Sequence, residues 1–231
     1  MHLLKIFISF VLFFCLYACK TKTVIVRYDK RVVERYQVLA KTNTRHGYYK
    51  VYHDNGNLAL EHTYEKGKLQ GEEKIYHEDG SLSGVLNLEK GKYQGPFIYY
   101  HPEGTIKQKG YYKDDVLMGK LYSYYNTGQL KECVTIKRNM EDGPFQEYSP
   151  EGVLIREGNY VSILGDEEGL EHGLLYEYDA ETRKLMTKKR CDEGFCCIIW
   201  QRGKGYLRPM TSVCDEIMKE SKEKEERLGS D

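Results

Sequence analysis

The stretch Gly71-Glu72-Glu73-Lys74-Ile75-Tyr76-His77-Glu78-Asp79-Gly80-Ser81-Leu82 decides the fold, because it recurs. Gly47, Gly71, Gly95, Gly119 and Gly143 stand 24 residues apart, and a second series, Gly56, Gly80, Gly104, Gly128 and Gly152, trails each by nine. Counting each unit from its first glycine as position 0, position 5 is always tyrosine: Tyr52, Tyr76, Tyr100, Tyr124 and Tyr148. Position 11 is Leu58, Leu82, Ile106, Leu130 or Leu154, and position 17 is Tyr64, Leu88, Tyr112, Ile136 or Tyr160. A fixed period of this length marks a stacked-repeat architecture. A sixth copy starts at Gly173 after a six-residue insertion, keeps Tyr178 and loses the second glycine.

Each unit reads as two strands. The triplets ending at the second glycine, such as Asp54-Asn55-Gly56, Pro102-Glu103-Gly104 and Pro150-Glu151-Gly152, are tight-turn signals between β-prone runs, with glycine supplying the positive φ. A second polar turn closes each unit at Glu65-Lys66-Gly67, Glu89-Lys90-Gly91, Lys113-Asp114-Asp115 and Lys137-Arg138-Asn139. The expected fold is all-β: an elongated antiparallel meander or solenoid of stacked 24-residue hairpins, with residues 24–40 adding terminal strands and a short helix at the C-terminus. Strand alternation puts Leu58, Leu60, His62 and Tyr64 on one face, and the ladders at positions 11 and 17 are expected to be buried. Tyr49, Phe97, Tyr99 and Phe145 alternate with the position-5 tyrosines, so neither face is cleanly polar and an aromatic-rich face is expected to be covered or offered to a partner.

Composition narrows the function. Thirty-five basic against 35 acidic residues removes the electrostatic footprint of a nucleic-acid binder, and 21 Tyr against one Trp suits half-exposed sheet surfaces. Residues 6–18 form a 13-residue apolar run behind Lys5, the layout of a secretory leader. Thirteen helical residues reach only about 20 Å, too short for a bilayer core of roughly 30 Å. Leu16-Tyr17-Ala18-Cys19 resembles the bacterial lipoprotein signal, which implies removal of residues 1–18, lipidation at Cys19 and membrane attachment through that lipid. Lys20 in place of Asp favours an outer-membrane over an inner-membrane destination by the same resemblance. Loss of Lys5 with the leader leaves 34 basic against 35 acidic residues, so charge would not hold the chain to the membrane.

A unit of the form G-x4-Y-x3-G-x-[LI]-x5-[YLI] resembles the MORN-variant repeat, and the likeness runs from Gly47 to Tyr178. It implies a repeat domain at residues 47–178, between a lipidated linker at 19–46 and a cysteine-bearing C-terminal cap at 179–231. Bacterial proteins of this kind are commonly classed as antitoxin components of toxin–antitoxin modules, so the resemblance implies a cognate toxin as partner. The spacing departs from that of the standard MORN unit, which makes phospholipid binding a weaker implication.

The remaining chemistry is thin. His53, His77 and His101 share position 6, but equivalent residues two strands apart sit roughly 9.6 Å from one another, too far to converge on one metal ion. Cys191, Cys196, Cys197 and Cys214 lack zinc-site spacing and form either disulfides or buried thiols; with five cysteines beyond Cys19, Cys133 is the natural free one. Asp54-Asn55-Gly56 lacks the later ligands of a calcium loop, and Gly80-Ser81-Leu82-Ser83-Gly84 puts Leu82 where a nucleophile would stand. Ser212-Val213-Cys214-Asp215 opens a helix whose end, residues 219–227, carries eight charges of balanced sign. No catalytic residue, cofactor, metal or small-molecule substrate is expected. The sequence points to a non-catalytic, membrane-anchored protein binder of the bacterial envelope. Its alternative is a structural lipoprotein whose aromatic surface contacts glycan or lipid head groups.

Overall fold

A computed structural model describes residues 20–163, 169–207, 214, 216, 217 and 219; the leader and Cys19 lie outside the described residues. The chain divides into two compact units, the first ending at Gln94 and the second beginning at Gly95. Both are antiparallel meanders. The first unit contains β1 (Thr21–Tyr28), β2 (Arg31–Leu39), β3 (Arg45–Tyr52), β4 (Leu58–Glu65), β5 (Lys68–Tyr76), β6 (Leu82–Glu89) and the two-residue β7 (Lys92–Tyr93), each hydrogen-bonded to the next. The second contains β8 (Gly95–Tyr100), β9 (Ile106–Lys113), β10 (Val116–Tyr124), β11 (Leu130–Lys137), β12 (Met140–Tyr148), β13 (Leu154–Val161), β14 (Leu170–Tyr178), β15 (Leu185–Asp192), β16 (Phe195–Gln201) and β17 (Gly205–Tyr206), again in sequence order.

Two turn chemistries alternate. At the second glycine the Gly56 amide donates to the His53 carbonyl at 2.9 Å and the His53 amide donates to Asn57 O at 2.8 Å, a three-residue loop whose last residue must be left-handed. Gly56, Gly80, Gly104, Gly128 and Gly152 accordingly have φ between 80° and 89°. At the opposite end the central pairs Lys66-Gly67, Lys90-Gly91, Asp114-Asp115 and Arg138-Asn139 all have positive φ, the requirement of a two-residue type I′ hairpin. The first glycine has a separate task. The strand pairing slips beside Gly71, whose φ is +86°, so it occupies a bulge that re-aims the following residues. A Cβ there would meet nothing within 4 Å, so Gly71→Ala is expected to cost only backbone strain, about 1 to 2 kcal/mol, in a urea titration.

The sequence expectation about the core needs correcting. Position 17 is buried only at Leu88 (5 %) and Ile136 (4 %), and every position-11 side chain is half-buried. The reason is placement: position 11 starts its strand beside a bulge at the turn end of the sheet, where side chains have neighbours on one side only. The core instead runs along positions 2 and 15, with Leu88 and Ile136 joining it from position 17. In the second unit it holds Val134, Ile136, Phe145, Leu175 and Cys191, with Leu117, Leu121, Tyr160 and Cys196 against it. Large and small residues interlock there. The Phe97 ring lies over Gly110, where a Cβ would fall 2.7 Å from its Cε1, and the Phe145 ring lies over Gly158, at 3.1 Å.

The region after Tyr178 continues the meander as β15 and β16 before it changes character. Cys214, Glu216, Ile217 and Lys219 are helical, and Ile217 is buried. Of the charged end expected at 219–227 only Lys219 is described; residues 220–227, like Ser212, Val213 and Asp215 of the expected helix start, lie outside the described residues. No helix among the described residues is long and apolar enough to cross a membrane.

Candidate functional site

Within each unit the two faces of the sheet do different things, and the aromatic residues divide between them. Tyr49 in the first unit, and Phe97 and Phe145 in the second, lie on the packed face of their own unit. Phe97 and Phe145 are 3 % and 1 % exposed and form part of the internal ladder, with nothing to offer a partner. Tyr99 leans on Phe97 with ring centroids 5.4 Å apart. Tyr49 stacks on Tyr36 and His62, and the Arg45 guanidinium lies 4.8 Å from its centroid while donating to the Tyr64 hydroxyl at 3.0 Å.

The position-5 tyrosines point the other way. Tyr76 donates its hydroxyl to Glu61 Oε1 at 2.8 Å, and Lys50 pairs with Glu61 Oε2 at 3.0 Å. In the second unit Tyr178 makes the same bond to Glu157 Oε1 at 2.7 Å, and Glu61 and Glu157 both stand at position 14 of the preceding repeat. Where position 14 is Lys109, its ammonium lies 5.3 Å from the Tyr124 centroid; where it is Cys133, Tyr148 turns to Gln146 Oε1 at 3.1 Å. Tyr52, Tyr76, Tyr100, Tyr124 and Tyr148 are all half-buried. Each unit also carries an open depression among charged and amide groups, and neither is lined by a position-5 tyrosine. One in the first unit, of about 350 Å³, is lined by Tyr48, Glu61, Thr63, Glu72 and Lys74; one in the second, of about 510 Å³, by Lys120, Cys133, Gln146, Glu157, Asn159 and Tyr176.

Electrostatics fit this arrangement. Burial, then hydrogen bonding to the carboxylate, pushes the phenols of Tyr76 and Tyr178 up to about 12, while donation from Tyr76, helped by Lys50, holds Glu61 below the usual carboxylate range. A raised folded value means that the protonated phenols contribute stability that is complete below pH 10 and is lost as the pH rises toward 12. Tyr76→Phe with Tyr178→Phe is therefore expected to flatten the stability profile over that interval, as read by denaturant titrations at stepped pH.

Two of the three position-6 histidines, His53 and His101, act as staples between repeats. His53 Nε2 bonds to the Tyr76 carbonyl at 2.9 Å and His101 Nε2 to the Tyr124 carbonyl at 3.0 Å, and the Tyr125 hydroxyl donates to the Tyr148 carbonyl at 2.9 Å. Each therefore fixes the backbone of the position-5 tyrosine one repeat on. His77 is half-buried. Cys191 is joined to Cys196 and Cys197 to Cys214, and Cys133 is free.

Two polar networks on the packed face escaped the sequence reading. His62 Nδ1 lies 2.9 Å from Glu73 Oε2, and the Tyr93 hydroxyl donates to Glu73 Oε1 at 2.9 Å; Glu73 is only 6 % exposed. The signal was an acid at position 2, where other repeats carry Tyr49, Phe97, Leu121 or Phe145. The second network centres on Arg156, which bonds Glu147 at 2.9 Å and also Glu171.

The MORN repeat variant family matches residues 45–66, 69–89, 93–114, 119–138 and 141–162, segments that coincide with the five hairpins. It is a MORN-variant repeat protein. The match ends before Gly173, yet β14 and β15 of the MORN-variant protein repeat the hairpin once more. MORN repeats generally mediate binding to proteins or membranes, and proteins built from them are typically non-catalytic binding modules. No curated protein matches this MORN-variant chain.

Proposed function

We propose that this protein is a non-catalytic, lipid-anchored binding module of the bacterial cell envelope, attached through Cys19 and docking a protein partner on its tyrosine face. The antitoxin role is the specific case, with a cognate toxin as the partner. One observation carries the reading: four position-5 tyrosines, Tyr76, Tyr124, Tyr148 and Tyr178, are held half-exposed, with hydroxyls or rings pinned by Glu61, Lys109, Gln146 and Glu157. Rings fixed before binding lose little entropy on contact and present amphipathic area, the property that enriches tyrosine at interfaces. An outer-membrane location follows the leader and Lys20.

The test uses Tyr124→Ala with Tyr148→Ala in the full chain, expressed in a producing bacterium and crosslinked in place. Because both rings are half-exposed, each change is expected to lower stability by about 1 to 2 kcal/mol, well short of a core truncation. Recovery of one stoichiometric protein with the native chain, and its loss with the variant, is the expected result. Recovery only with cell-wall or lipid fractions would replace this reading with the structural one. Mass spectrometry of the N-terminal peptide reads the acyl chain on Cys19 directly.

A further inference from the structure

The hairpin β15–β16 brings Cys191 and Cys196 directly opposite each other, with Cα atoms 4.0 Å apart, across the two-residue turn Glu193-Gly194. That turn is already formed without the bridge: both residues have positive φ, Asp192 pairs with Phe195 across it, and the Gly194 amide tethers it to β14 by donating to the Glu171 carbonyl at 2.9 Å. A bridge between residues five apart in sequence also restrains little of the unfolded chain. Structural reinforcement is a weak reason for a disulfide here.

The neighbour supplies a better one. Glu171, on β14, holds its Oε2 2.9 Å from Cys196 Sγ and 4.0 Å from Cys191 Sγ, while its Oε1 is occupied by the Arg156 guanidinium. A disulfide sulfur has no hydrogen to give, so this carboxylate oxygen is aimed at sulfurs it cannot hydrogen-bond in the oxidised state. The three ligand atoms lie within 4.8 Å of one another, and Cys191 is 2 % exposed. Two thiolates and a carboxylate, with Arg156 fixing the carboxylate from behind, are a soft-metal donor set with its outer support in place.

We propose that Glu171, Cys191 and Cys196 form a redox-gated site for a soft divalent cation such as zinc(II), closed by the disulfide and opened by a dithiol reductant. Reduction passes two electrons to the bridge: the reductant's two thiols become its disulfide, and Cys191 and Cys196 leave as thiols. The sulfurs are then free to separate to the roughly 3.8 Å that two ligands of a tetrahedral zinc keep. Binding expels the two thiol protons to solvent, and water completes the fourth position.

The experiment uses the full native chain, reduced with a phosphine and alkylated with iodoacetamide with and without zinc, each cysteine being followed by peptide mass spectrometry. Zinc is expected to slow alkylation of both Cys191 and Cys196 by about tenfold or more and to leave Cys133 unchanged, with protection lost in Glu171→Gln. Near-ultraviolet circular dichroism confirms that the reduced chain stays folded. Equal rates with and without zinc overturn the proposal. So does protection that survives Glu171→Gln, or protection confined to Cys197 and Cys214.

Discussion

Phe145→Ala is expected to lower the stability of the unit beginning at Gly95 by about 3 to 5 kcal/mol. The ring is 1 % exposed, stacks on Tyr160 at 4.2 Å and lies under the Arg156 guanidinium, 5.4 Å from its centroid. It also fills the space that Gly158 leaves, where a Cβ would come within 3.0 Å of Leu175 Cδ1. Truncation therefore opens a void that neither a β-strand backbone nor a glycine can collapse into. Trp200, the only tryptophan and part of the same unit, reports the urea transition by fluorescence; the midpoint should fall with an unchanged slope. The interlock adds a second reading. Gly158→Ala alone overpacks the site, but in a Phe145→Leu background the same methyl finds room, so the two changes should cost less together than separately. Strict additivity would mean that the ring and the glycine are not partners.

The period of 24 made the hairpins, both turn classes and the strand order legible, because glycines, turn triplets and alternation all state local backbone needs. The buried rows were harder. A 24-residue frame treats all copies alike, whereas residues alternate every second copy: Gly95-Pro96-Phe97 and Gly143-Pro144-Phe145 share a pattern, as do Gly110 and Gly158, with Leu86 and Val134 at the intervening position 15. That 48-residue alternation is the sequence trace of aromatic rings seated on glycines. Bulges hid the rest. A slip beside each first glycine and another before each position-5 tyrosine change which side chains share a face, and pure alternation cannot count them. Phe97 and Phe145 count among the possible binding residues on a separate ground: alternation sets them opposite the position-5 tyrosines, as the structure does, but both faces carry aromatic rings and alternation does not say which face is packed. Glu73 and Arg156 were missed for another reason: charges in a strand read as solvated until a partner is placed opposite them.

Arg156→Met is the second large expected effect. Arg156 faces four carboxylates: it bonds Glu147 and Glu171 and exerts its charge on Glu132 and Glu177, and Lys189 also neutralises Glu177, at 2.6 Å. Glu132 and Glu147 stand directly opposite across β11 and β12, a like-charge pair that the sheet tolerates only with a cation near it. Breaking a buried ion pair costs about 3 to 5 kcal/mol; since 26 % of the Arg156 side chain meets solvent, about 2 to 3 kcal/mol is expected at neutral pH. Acid should relieve the deficit, because protonation removes the repulsion that the arginine had screened. The native chain carries a milder form of this dependence. Burial, then Glu147, holds the Glu132 carboxyl above its ordinary value of 4.5, so the stability tied to its protonated form is complete below that pH and is lost as the pH rises through the raised value. Glu132→Gln removes that loss and should stabilise the protein at neutral pH while changing little in acid. Denaturant titrations across the carboxylate range check both variants. An Arg156→Met deficit that does not shrink on acidification would mean that the arginine acts through its packing on Phe145, and not through its charge.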